Sequence, residues 1–181
     1  MDQFKIYQQA LETMYPSLTV FSDMNWSEVS QEYLVSHDER PTDLDDFLFN
    51  FPAYLQDKAA DGDCPVYLFE LAFYELLQNQ TLLTDLEIPS EKGFHLNPSL
   101  SFLNLEFDIN VMLDEATKGN VQLIRRPHIL CIYRDPVKGL NHLDITTPML
   151  EVLQQLENGE TVVKQTMLKE LIDLGVVLEV K

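Results

Sequence analysis

Apolar positions in the first half of the chain recur at helical spacing. Phe4, Tyr7, Leu11 and Met14 fall three or four residues apart, which predicts a helix over 3–14 that Tyr15-Pro16 ends. Leu18, Val20 and Phe21 form a short second element. Asn25-Trp26-Ser27-Glu28 has the form of a capping box, opening a helix that runs to about residue 36. The loop His37-Asp38-Glu39-Arg40-Pro41 leads to Thr42, a good N-cap with Asp43, Asp45 and Asp46 in the positive first turn. Asn50-Phe51-Pro52 breaks or kinks that helix, which resumes through Leu55. Pro65 then suits the first position of a helix over 66–78. This helix is apolar on nearly every side except at Glu70 and Glu75, as the central helix of a small bundle would be.

Past residue 90 the period shortens. Residues 94–105 suit extended structure, and Asp108 caps a short helix over 109–116. Residues 121–124 and 128–133 read as strands separated by Arg125-Arg126-Pro127. Asp135-Pro136-Val137-Lys138-Gly139 is a turn into a hairpin strand over 140–145. Thr147-Pro148 opens a helix over 149–157, Asn158-Gly159 stops it, and a further amphipathic helix spans 162–174. A last strand covers 176–180. The expected fold is α+β: an N-terminal helical bundle over 1–90 followed by a winged-helix-like α/β domain over 91–181. The boundary falls in the polar run Ile88-Pro89-Ser90-Glu91-Lys92-Gly93.

Charge sharpens the division. The 181 residues carry 30 acids and 12 bases, a net of −18. Residues 1–90 hold 17 acids and three bases, while 91–181 hold 13 and nine. Ten Phe and seven Tyr exclude a disordered acidic tail. The acid excess weighs against nucleic acid, whose binding draws on Lys and Arg. No run approaches the roughly 18 apolar residues of a membrane span, and nothing reads as a targeting signal, so the cytoplasm is the expected location.

Catalytic motifs are sparse. No glycine-rich phosphate loop or paired-cysteine motif occurs. His37, Asp38 and Glu39 are consecutive ligand types, best read as a solvated turn. His95 is lone, and His128 and His142 lie on neighbouring strands of the hairpin, where a structural role is expected. Glu70 and Glu75, five apart, do not share a helix face. Cys64 and Cys131 are isolated, and Cys131 sits in an apolar strand run as a small hydrophobe. The expectation is no metal and no cofactor in this chain. The helix-turn-helix over 149–174 allows two readings. A DNA-reading helix needs Arg, Lys, Asn or Gln near its start, whereas this one begins Glu160-Thr161-Val162-Val163-Lys164-Gln165. The other reading is capture of an extended peptide on a sheet edge. Arg125, Arg126 and Arg134 form the main basic cluster and would favour an acidic peptide.

Two resemblances follow from these segments. Tyr15-Pro16, the stretch from Glu32-Tyr33-Leu34 through His37 to Leu44, Phe51-Pro52-Ala53-Tyr54-Leu55, Pro65-Val66-Tyr67-Leu68-Phe69-Glu70-Leu71-Ala72 and His95-Leu96-Asn97-Pro98-Ser99 resemble the HvfC/BufC-type family. Asp38 stands where that family has proline. The resemblance implies a partner subunit of an iron-dependent TIM-barrel enzyme that modifies cysteines of ribosomally made peptides, as in methanobactin synthesis. Residues 129–175, with Leu153-Gln154-Gln155-Leu156-Glu157-Asn158-Gly159-Glu160-Thr161, are similar to the peptide-recognition modules typified by PqqD. Together they imply a non-catalytic subunit, with the iron in the partner. Arg125, Arg126, Ile129, Cys131, Tyr133, Arg134, Met167, Leu168 and Leu171 would hold the precursor's leader. His37, Phe51 and Tyr54 would meet the enzyme.

Overall fold

The computed structural model describes residues 3–22, 25–36 and 43–181. The loop expected over 37–41 with His37, and the N-cap expected at Thr42, lie outside the described residues. The fold is α+β. In chain order come α1 (Gln3–Met14), α2 (Pro16–Phe21), α3 (Trp26–Ser36), α4 (Leu44–Ala60), α5 (Val66–Leu83), β1 (Gly93–Leu96), β2 (Ser101–Phe107), α6 (Ile109–Thr117), β3 (Arg125–Asp135), β4 (Gly139–Ile145), α7 (Thr147–Glu157), α8 (Gln165–Asp173) and β5 (Val177–Val180). Two compact units emerge: Met1–Leu76 with Leu105–Pro127, and Leu77–Asn104 with His128–Lys181. The chain thus changes unit three times, where the sequence reading has one boundary near residue 90. One reason is Glu70 on α5, whose carboxylate accepts the backbone N–H groups of Glu106 (2.8 Å) and Phe107 (3.1 Å). That ties the end of β2 to the helical unit.

In the first unit Tyr7, Leu11, Tyr15, Tyr33, Phe47 and Phe51 are buried. Tyr33 meets Phe47 at 4.6 Å and Phe51 at 5.2 Å between ring centroids, spacings that favour aromatic pairing. Pro52 lies inside α4 without breaking it. Its missing N–H frees the carbonyl of Leu48, four residues back, and the Tyr15 hydroxyl donates to that carbonyl. The Tyr33 hydroxyl donates to the neighbouring carbonyl of Phe47 at 2.8 Å. Asp43 caps α4 by accepting from the Asp45 N–H at 3.0 Å, one residue later than the N-cap expected from the sequence. At α3 the Asn25 carboxamide donates to the Glu28 carboxylate at 3.4 Å and the Glu28 N–H donates to the Asn25 carbonyl at 3.0 Å, contacts that differ from the reciprocal side chain-to-backbone bonds of the expected box. Asp108 caps α6 as its sequence predicts, accepting from Val111 N–H at 3.2 Å.

The second unit holds two small antiparallel sheets, β1-β5 and, in its larger part, β2-β3-β4. The strands expected over 121–124 and 128–133 are replaced by a single β3, and 121–124 is irregular, with Val121 and Leu123 exposed. Pro127 is tolerated because the β3–β4 pairing begins only at Ile129, opposite Ile145. Asp135 turns the hairpin: its carboxylate accepts from Val137 and Lys138 N–H, Pro136 follows it, and Gly139 takes φ +82°. The order β3, β4, α7, α8, β5 matches expectation, but β5 pairs with β1. Helix α7 starts at Thr147, with Thr146 before it. Helix α8 starts at Gln165, three residues later than expected, because Val162 is buried in the core ahead of it.

Candidate functional site

The second unit is organised around Asn97. Its carboxamide donates to the carbonyls of Arg134 (3.0 Å) and Gly175 (2.9 Å) and accepts from the Ser99 N–H and hydroxyl. The Asn97 N–H donates to the Val176 carbonyl, and the Ser99 hydroxyl accepts from Arg134 N–H. Thus Leu96-Asn97-Pro98-Ser99 ties β3 to the turn between α8 and β5. At that turn Gly175 has φ +80°, and a Cβ there would stand 2.5 Å from the Asp135 carboxylate. Two backbone N–H bonds hold that carboxylate below the usual range.

Strand β3 is buried on both faces. Ile129, Cys131 and Tyr133 point to a core shared with Met149, Val152 and Leu153 of α7 and Leu168 and Leu171 of α8. Leu130 and Ile132, on the opposite face, are also fully buried. Two-sided burial explains the unbroken apolar run that the sequence displays there. On β4, burial holds His142 below its ordinary range, and its neutral ring accepts from Gln78 at 2.9 Å. His128 approaches Asp144 at 3.7 Å.

These placements revise the expected peptide site. Strand β3 lies between β2 and β4, so no added strand can pair along it. Cys131, Tyr133, Leu168 and Leu171 are core residues, while Ile129 and Met167 are half-buried against the same core. Burial pushes the Cys131 thiol up to about 12, which keeps it protonated and inert. The arginines are each engaged with their own partner. Arg125 pairs with Glu106 at 3.0 Å, Arg126 with Asp108, and the Arg134 guanidinium donates to the carbonyls of Leu82 and Thr84. Of the expected partner-facing residues, Phe51 is fully buried in the helical core. Tyr54 is half-buried, with its hydroxyl 3.3 Å from Glu32 and the Lys58 ammonium over its ring. Helix α8 offers little to a DNA base: Lys164 pairs with Glu151, and the Gln165 amide donates to the Val162 carbonyl.

A groove lies elsewhere in this unit. It encloses about 390 Å³ between Leu96, Asn97, Leu100 and Phe102 on one side and Leu150, Leu153, Gln154 and Glu157 of α7 on the other. Phe102 is 45% exposed in it. The sequence carries one trace of this groove: Leu150 is an extra apolar residue flanking the inward stripe Met149, Val152, Leu153 and Leu156. Among the described residues, no group of three or more His, Cys, Asp or Glu could hold a metal ion. No described helix is long and apolar enough to cross a membrane. No protein-family model matches the chain, and no curated protein matches it.

Proposed function

We propose that the chain is a non-catalytic subunit of the HvfC/BufC type. It holds an extended, ribosomally made precursor peptide and docks on an iron-dependent TIM-barrel oxidase in the cytoplasm. The oxidase converts peptide cysteine to oxazolone and thioamide, as in methanobactin synthesis. This chain supplies binding energy and orientation, which accelerate a reaction without a catalytic group of their own. The winged-helix reading of residues 91–181 belongs to the same proposal.

The observation that carries it is the position of β4, the outer strand of the β2-β3-β4 sheet. An outer strand presents a row of backbone N–H and C=O groups, and an extended peptide adds to such a row as a further strand. The peptide therefore lies along β4 in place of β3. Amide hydrogen exchange with and without the precursor peptide tests this. Slower exchange confined to residues 139–145 is expected. Unchanged exchange in β4 at a peptide concentration that saturates binding would remove strand addition.

A further inference from the structure

The groove between the β1–β2 segment and α7 is separate from the β4 edge and has a chemistry of its own. Its walls are Leu96, Leu100, Phe102, Leu150 and Leu153. Its one buried polar group, Asn97, has both ends of its carboxamide committed to Arg134, Gly175 and Ser99. The floor therefore offers apolar contact and no spare hydrogen bond. The rim differs. Gln154 and Glu157 are exposed there, and Glu157 is the last residue of α7. The last turn of α7 contains no basic residue to offset the negative end of its dipole. Among the described residues Glu157 makes no ion pair, whereas Glu151 one turn and a half earlier is neutralised by Lys164. An apolar slot thus ends at an uncompensated negative corner.

We propose that this groove is a second recognition site for an extended peptide, taking a large apolar side chain between Leu100, Phe102, Leu150 and Leu153. A lysine or arginine next to that side chain pairs with Glu157 at the end of α7. The inference rests on the peptide-binding reading above and adds a sequence preference to it: an apolar residue beside a basic one. It replaces the acidic preference that Arg125, Arg126 and Arg134 suggest in the sequence, since those three are occupied.

Leucine-methyl NMR of the full chain tests it, with three short synthetic peptides that differ at two positions. They carry phenylalanine-lysine, phenylalanine-glutamate or alanine-lysine. The phenylalanine-lysine peptide should shift the methyls of Leu100, Leu150 and Leu153. The alanine peptide should shift none, and the glutamate peptide should bind about threefold more weakly, the scale of an exposed ion pair. Glu157→Lys, a surface change that leaves the core alone, should reverse the order of the two phenylalanine peptides. Equal affinity for lysine and glutamate, an unchanged order in the variant, or shifts only outside the groove would overturn the proposal. Groove shifts without formation of an oxidase complex would sink the oxidase reading alone. An intact complex without groove shifts would sink the groove alone.

Discussion

At Asn97 one carboxamide satisfies four groups that come from three places in the chain. Removing it leaves the carbonyls of Arg134 and Gly175 without their donor inside the core, which costs far more than the bonds contribute net. Asn97→Ala should lower unfolding free energy by about 2–4 kcal/mol, read by urea denaturation. A loss below half a kilocalorie would mean that the network is not the organiser of this unit. In the sequence Asn97-Pro98-Ser99 falls in a stretch read only as extended structure, and its role is hidden because its partners lie 37 and 78 residues away. Glu75 is the residue-scale feature of the helical unit. Burial pushes its carboxyl up to about 7 from an ordinary 4.5, partly offset by the Ser17 N–H that it accepts at 3.0 Å. Below pH 4.5 both folded and unfolded chains hold this proton. Between 4.5 and 7 only the folded chain does, so the stability it contributes is lost as pH rises through 7. Glu75→Gln cannot titrate and keeps an acceptor for Ser17. Its stability relative to the wild type should rise by about 3 kcal/mol between pH 4.5 and 8, measured by denaturation at each pH. Parallel pH curves for the two proteins would contradict this.

Elements were legible where one local rule decided them. Helix α6 follows from Asp108, the β3–β4 hairpin from Asp135-Pro136 and Gly139, and α7 from its proline and inward stripe. They were misread where distant packing decided. Residues 121–124 look like a strand but lack a partner, and 162–164 look helical but are irregular, bending at Val163 while Val162 enters the core. Helix α5 runs to Leu83, past the expected stop at residue 78, and so supplies the Leu82 carbonyl to Arg134. Pro52 shows how a local defect is repaired from afar. Tyr15 on the other side of the sequence donates to the carbonyl that Pro52 leaves open. Tyr15→Phe should therefore cost about 1–3 kcal/mol by denaturation, whereas Tyr15→Phe combined with Pro52→Ala should recover part of that loss. A full, additive loss in the double variant would show that the hydroxyl is not serving the proline.

The charge asymmetry read from the two halves survives the redrawn boundary. Counted over the structural units, the helical one holds 19 acids and six bases, and the other 11 and six. A surface this acidic meets a basic or neutral partner most readily, with an association rate that falls as salt rises. The residues first expected to meet that partner are a poor guide, since Phe51 is core. The candidate peptide site was half legible. Its strands and helices were foreseeable, but which strand is outermost depends on pairing between β2 and β3, which local pattern does not encode. The most direct measurement is size-exclusion chromatography with light scattering after coexpression with an iron-dependent TIM-barrel oxidase of the methanobactin type. The account predicts a stable complex at low salt that binds the cysteine-containing precursor more tightly than either protein alone. Separate elution of the two proteins at low salt, with no binding of the precursor to this chain, would contradict it.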